Sequence, residues 1–328
     1  MKKIIVTGGL GLIGSRYVDH VAKDNTVIIV DSGMKPRNEW VYKRIYKEYQ
    51  NVGFIRQRVE QSNWHHLLDD DIDLIVHAAA HTGIPHSAED PDDDWHSNVD
   101  ATRVILEAMR QVKSKATIVA LSSVKPYRVP ENLGNGVDEE CPLEPDEPYA
   151  ASKMAQSGLV MAYARSYGLN ATVLRCSNLY GNAPCHGPRH GWLTWFCIAS
   201  VIGRTLEMQG TGKQSRDMLY CTDVSAAIDA AARNIEKTRG NVYNIGGGES
   251  NVISVAQAVE LVSNLCNVEC IYTTGRKHED MHFMTNFSKF NSVTGWSPAI
   301  SVHEGVSKIV DWAKGHANEL RHVYQGEI

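Results

Sequence analysis

Near its N-terminus the chain runs Lys3-Ile4-Ile5-Val6-Thr7 straight into Gly8, Gly9, Gly11 and Gly14, and this junction constrains the fold more than any other segment. A short β-branched apolar run is a strand covered on both faces, so helices must lie above and below it. Gly8, Gly11 and Gly14 have the spacing that allows a tight turn, close approach of a pyrophosphate to the backbone and close helix packing. Leu12 and Ile13 then open a helix whose N-terminus faces the phosphates. Asp31 ends the next such run, where a carboxylate takes ribose hydroxyls. Its charge repels a 2′-phosphate, so NAD is expected rather than NADP. Lys35 and Arg37 follow, with surface solvation as their expected role.

The same rhythm continues along the chain. Residues 74–77, 117–121 and 171–175 read as further buried strands, with a helix from about Asn98 to Val112 between the first two. Strands alternating with helices predict an α/β fold, a doubly wound parallel sheet of Rossmann type with ligands at the carboxyl ends of its strands. From Asn178 the rhythm breaks, which predicts a second, smaller mixed α/β domain. The expected division is 1–177 plus about 218–245 for NAD, and about 178–217 plus 246–328 for substrate. The acidic stretch Glu89 to Asp94 and the segment 131–147 read as solvated loops, the second long enough to form part of a lid.

Composition excludes several classes. With 43% hydrophobic and 22% charged residues in 328, the chain is neither disordered nor fibrous. A net charge of −5 without a basic stripe excludes a nucleic-acid partner. No apolar run approaches the ~20 residues of a membrane span, and Met1-Lys2-Lys3 leads directly into a strand, so a cytoplasmic protein without membrane contact is expected. Seven cysteines lie between Cys141 and Cys270 without C-x-x-C spacing and read as reduced thiols. The pairs His77/His81 and His186/His190 have ligand spacing but no third partner, so no metal is expected.

Tyr149 and Lys153 stand four apart, on one helix face, so the phenol and the ammonium reach a common point. A phenol near pKa ~10 is a poor base, and an adjacent cation stabilises its phenolate. Ser122 and Ser123 end the preceding strand, where either hydroxyl could bond the same reacting oxygen. Tyr149, Lys153 and Ser123 are the catalytic candidates, with Ser122 competing.

These motifs resemble the extended branch of the short-chain dehydrogenase/reductase superfamily, the nucleotide-sugar epimerases and dehydratases, over nearly the whole chain. The resemblance includes Thr7 to Gly14, His77-Ala78-Ala79-Ala80, Asn98-Val99, Tyr149 to Lys153, Asn178-Leu179-Tyr180-Gly181, Arg216-Asp217, Thr222-Asp223-Val224 and Gly295-Trp296-Ser297-Pro298. His190-Gly191-Trp192, Gly212-Lys213-Gln214 and Arg239-Gly240-Asn241 narrow it toward the group of CDP-paratose (CDP-tyvelose) 2-epimerases.

The resemblance implies bound NAD, held by Gly8, Gly11, Leu12, Ile13, Gly14, Asp31, Ala78, Ala79, Ala80, Asn98, Tyr149 and Lys153. It implies a nucleotide-diphosphate sugar as substrate and a homodimer. Candidate substrate contacts are His81, Ser87, Lys125, Asn178, Trp192, Arg216 and Arg276, the two arginines as diphosphate anchors. Trp192, Trp195 and Phe196 read either as pocket walls or as core.

Three departures stand out: Arg58 where the family often has an acid, Pro126 and Arg128 around Tyr127, and Asn286 in place of a common Asp. Dehydratases carry an Asp-Glu pair after the catalytic hydroxyl residue. Val124-Lys125 stands there instead, which favours an epimerase over a 4,6-dehydratase. A net reductase fits poorly with Asp31, and a non-enzymatic NAD sensor would not need all of Tyr149, Lys153 and Ser123.

Overall fold

The computed structural model describes residues 1–328 except 35, 69–70, 131, 133, 186, 188–189, 267, 275–280 and 326–328, and for 36, 84–86 and 209 the backbone alone. Lys35, His186 and Arg276 therefore lie outside the described residues.

The first half alternates as the glycine junction demands. Its elements are β1 (Lys3–Thr7), α1 (Leu12–Val21), β2 (Thr26–Asp31), α2 (Pro36–Glu48), β3 (Val52–Arg56), α3 (Trp64–Leu67), β4 (Leu74–His77), α4 (Ile84–Glu89) and α5 (Pro91–Asp94). They continue through α6 (Ala101–Gln111), β5 (Thr117–Ser123), α7 (Pro148–Tyr167) and β6 (Asn170–Cys176). The second half holds β7 (Asn178–Tyr180), α8 (Trp192–Ile202), β8 (Leu206–Gln209), β9 (Ser215–Tyr220), α9 (Cys221–Arg233), α10 (Ile235–Thr238), β10 (Val242–Ile245), β11 (Val252–Ser254) and α11 (Val255–Leu265). It ends with β12 (Cys270–Thr273), β13 (His282–Phe283), α12 (Ser288–Thr294), α13 (Val302–Gly315) and α14 (Ala317–Val323).

Seven strands form one parallel sheet in the order β10-β6-β5-β4-β1-β2-β3. The order reverses between β1 and β4, so a crevice opens beyond their carboxyl ends, where this architecture binds ligands. All four residues of β4 are buried, because helices cover both faces of a parallel sheet.

At Ser177 the chain leaves this sheet and enters a second one. There β9 lies between β11 and β13, and its Met218–Tyr220 end pairs with β7. All of β9, Met218–Tyr220 included, belongs to this sheet, and the return to the main sheet is made by β10. One buried apolar cluster runs from Ile4 on β1 to Tyr324 beyond α14, so the two sheets share a core.

The acidic segment is not a loop, whereas the segment 131–147 holds no helix or strand among its described residues and is tied down at Val137. Pro91–Asp94 is a helical turn capped by Asp90. It leads into a π turn, Trp95–Asp100, before α6, so the helix expected from Asn98 begins with a widened turn that buries Asn98. The segment before α7 is strapped down: Val137 N–H donates to Met284 O at 2.8 Å and Asn286 N–H to Val137 O at 2.9 Å, with Val137 fully buried.

Candidate functional site

The glycine cradle is set by clearances. Gly8 has φ +66°, and a Cβ there would stand 2.6 Å from Ala79 N; a Cβ on Gly14 would stand 2.1 Å from Gly8 O. Side chains are excluded by backbone on both sides, so only glycine lets the β1 turn pack this closely against residues 78–79 and the start of α1. Gly11 caps α1 without any side-chain cap, leaving the first-turn N–H groups of Leu12, Ile13 and Gly14 to an anion.

Asp31 is buried beside this turn. It accepts from Leu10 N at 3.0 Å, Gly33 N at 2.9 Å and Asn38 Nδ2 at 3.3 Å. Its carboxylate thus fixes the glycine loop at the end of β2, the position where a carboxylate meets a cofactor ribose. The residues present fit an NAD pyrophosphate and ribose. Arg58, the departure from the family pattern, is held by Glu60, Asp93 and Ser97.

A buried relay lies beneath the cradle. Thr7 Oγ1 accepts from Ala79 N at 3.1 Å and bonds His77 Nδ1 at 2.8 Å, while His77 Nε2 meets Thr102 Oγ1 at 3.0 Å. Thr102 Oγ1 donates to Asn98 O at 2.7 Å, so it accepts from the histidine, and the network assigns the proton to Nε2. Burial, aided by the Lys153 charge, depresses the His77 pKa to about 3. His77 is therefore a neutral strut, and sequence spacing gave no sign of it.

The catalytic candidates meet at the ends of β5 and β6. Ser123 lies beside the Tyr149 phenol, whose pKa it lowers, and accepts from Lys125 N at 3.1 Å. Ser122 turns away: it donates to Lys153 O at 3.1 Å and accepts from Ser157 Oγ at 2.9 Å, which commits it to packing α7 on β5. Lys153 is buried and donates to Leu121 O at 2.9 Å.

Burial is the largest influence on both titrating groups. It raises the Tyr149 phenol well above its ordinary value, against the neighbouring Ser123 hydroxyl, and Cys176, Asp94 and Glu147 push the same way as burial. It lowers Lys153 to about 8, against Cys176 and Asp94. At pH 7 the pair rests as phenol and ammonium, the state from which a phenol can shuttle a proton once further positive charge arrives.

A chain of hydrogen bonds locks this turn of α7. Ser152 Oγ donates to Tyr149 O at 2.8 Å and accepts from Asn98 Nδ2 at 2.9 Å. Asn98 Oδ1 accepts from His81 N at 3.1 Å, and His81 Nδ1 bonds Asp94 Oδ1 at 2.7 Å. The expected substrate contact Ser87 is buried and accepts from Tyr149 N at 2.9 Å, so it caps the catalytic helix instead. His81 is likewise engaged by the acidic turn.

Beside Ser123 opens a cleft of about 430 Å³ including its mouth, lined among others by Lys125, Tyr127, Asn178, Arg216 and Phe283. Lys125, Asn178 and Arg216 are thus brought together as the sequence suggested. Phe283 was not foreseen, since β13 reaches the cleft only through its pairing with β9 at Arg216.

Tyr127 also forms part of the wall. It donates to Asn244 Oδ1 at 2.9 Å and accepts from the buried Arg175 Nη1 at 2.7 Å. Trp192 does not line the described cleft; its ring packs edge-on to Phe196 at 5.7 Å. Trp195 and Phe196 are core, Trp195 lying against Tyr324 at 5.2 Å. On α8 the apolar helical spacing thus serves packing at Trp195 and Phe196.

A dinucleotide cradle and an acid–base pair at one end of a parallel sheet define an NAD-dependent α/β enzyme. The chain matches the model of the NAD dependent epimerase/dehydratase family over residues 4–246 and belongs to that family, with NAD as its cofactor. It is 29% identical over 340 residues to the CDP-paratose 2-epimerase of Salmonella typhi, covering 94% of this chain and 98% of that protein.

Among solved structures it is similar to the UDP-glucose 4-epimerase of Thermotoga maritima with UDP-glucose (26% identity, TM-score 0.84, 95% of this chain and 99% of that one). It is also similar to the dTDP-glucose 4,6-dehydratase of Bacillus anthracis str. Ames in complex with NAD (28% identity, TM-score 0.82, 98% and 100%). Among the described residues no helix is long and apolar enough to cross a membrane.

Proposed function

We propose that the chain is an epimerase that inverts one sugar carbon of a nucleotide-diphosphate sugar through a transient keto-sugar, with an activity like that of the CDP-paratose (CDP-tyvelose) 2-epimerases. One observation carries this: Tyr149, beside Ser123 and one turn from a buried Lys153, stands near a cleft that has Val124-Lys125 where dehydratases carry two acids. Elimination of water lacks its acid–base pair, whereas inversion needs only proton transfer at one hydroxyl and oxidation and reduction at its carbon.

Bound NAD supplies the two-electron acceptor and donor for that cycle. As the phenolate, formed once added positive charge in the site has released its own proton, Tyr149 takes the proton of the sugar hydroxyl, becomes a phenol, and later returns that proton to the oxygen. Lys153 stabilises the phenolate, and Ser123 donates to the carbonyl oxygen as it forms. Arg216, Lys125 and Asn178 hold the diphosphate and sugar at a distance from the reacting carbon, so the ring can turn while the anchor stays. On this reading residues 1–177 with 218–245 serve NAD, residues 178–217 with 246–328 serve the nucleotide sugar, and the enzyme is a cytoplasmic homodimer.

The test is incubation with CDP-, UDP-, GDP- and dTDP-sugars in deuterated buffer, followed by proton NMR. The expected result is inversion of one centre in a CDP-sugar with its carbon-bound hydrogen retained. Inversion of C4 in a UDP-sugar would move the assignment to a 4-epimerase. Loss of water, or deuterium at the inverted centre, would overturn the mechanism.

A further inference from the structure

Asp94 was expected in a solvated loop, yet it is only 1% exposed, sits at the end of α5 and bonds His81 through Oδ1. Its Oδ2 is buried without a hydrogen-bond partner. Burying half a carboxylate unpaired is costly unless a charge nearby repays it. The π turn that follows and the His81–Asn98–Ser152 hydrogen bonds fix α5 against the Tyr149–Lys153 turn of α7.

We propose that Asp94 is a positioning residue for the acid–base pair, its carboxylate held by His81 so that its field keeps the buried Lys153 ammonium charged. This rests on the catalytic reading of Tyr149 and Lys153, but its test reads a titration and needs no substrate.

The groups around the ammonium leave this role to Asp94. His77 on β4 is neutral, and Tyr149 on α7 rests as a phenol. Cys176 on β6 is pushed up to about 12 by burial and is a neutral thiol at pH 7, while β5 presents only the Leu121 carbonyl and serine hydroxyls. Asp94 thus counters the desolvation that draws Lys153 down to about 8. The same field opposes phenolate formation at Tyr149, so removing it moves both groups to lower pH.

The experiment is an NMR titration of the full-length protein with NAD bound and its lysine ε-carbons labelled with carbon-13, the Lys153 signal being assigned by its loss in Lys153→Arg. Asp94→Asn is expected to lower the Lys153 midpoint by about 1 pH unit. Asp94→Glu should restore most of it, and Asp93→Asn should leave it in place, because Asp93 is held by Arg58. If Asp94→Asn does not fold, Asp94→Ser is read in the same way. An unchanged midpoint in a folded Asp94 variant, or an equal shift in Asp93→Asn, overturns the proposal. Failure of the sugar panel with the shift present would instead count against the catalytic reading.

Discussion

The cofactor cradle and the sugar-side cleft lie at the same end of the main sheet but are built from different materials. Backbone makes the cradle: the contacts that define it are Gly8 against Ala79, Gly14 against Gly8, and the bare first turn of α1. Side chains from distant segments make the cleft, with Lys125 after β5, Asn178 on β7, Arg216 on β9 and Phe283 on β13. A backbone-made site binds what every relative binds and tolerates almost no substitution. A side-chain-made site can be retuned one residue at a time, and substrate identity resides there.

Tyr149 stands on the seam between the two, so its removal should separate chemistry from both kinds of binding. Tyr149→Phe is expected to lower kcat by about 1,000-fold while NAD affinity stays within about twofold, read by turnover and by fluorescence titration of NAD. A parallel loss of NAD binding would place the phenol in the cradle and dissolve the distinction.

Within the cradle, Gly14→Ala drives a methyl into the Gly8 carbonyl, and NAD affinity should fall about 100-fold, near 2.7 kcal/mol. Gly11→Ala meets only Gly8 O, at 3.2 Å, and should cost less than about tenfold by the same titration. Equal effects would mean that clearance does not govern the site. In the cleft, Arg216→Ala should raise KM for the nucleotide sugar about 30-fold, near 2 kcal/mol, with NAD binding unchanged.

Legibility in the sequence follows the same divide. Glycine spacing, Asp31 and the Tyr149–Lys153 interval are local patterns, and five strands of the main sheet could be read from apolar runs. Strand β3, at the sheet edge, has no fully buried residue, and β10 arrives only after the chain has visited the second sheet, so neither stands out in a linear reading.

Ser122 and Ser123 are chemically identical, and only the pleat, which sends one hydroxyl to Ser157 and the other to Tyr149, separates them. Asp94 was misread because an acidic run resembles a solvated loop until a π turn folds its last member inward. Phe283 could not be found at all, because its place depends on a strand pairing across some 67 residues of chain.

A further predicted effect is one of proton linkage, and it has opposite signs in the two regions. Under the cradle, His77 titrates at about 3 in the native protein and near its ordinary 6.5 when unfolded. Between those values the unfolded chain takes a proton that the folded one refuses, so stability falls on acidification by up to about 1.4 kcal/mol per pH unit. Behind the cleft, Asp217 is fully buried and its carboxyl is raised by burial, against hydrogen bonds from Ser177, Gly248 N–H and Thr285. Its folded pKa exceeds its unfolded one, so its contribution is complete below about pH 3.9 and is lost as pH rises toward the folded value.

Urea unfolding from about pH 4.5 to about pH 6 should therefore give a flatter or inverted pH slope for His77→Asn and a steeper one for Asp217→Asn. Each is read as a slope, so loss of overall stability in either variant does not obscure it. Identical slopes in wild type and both variants would mean that neither burial governs proton binding, and that the two regions differ in shape alone.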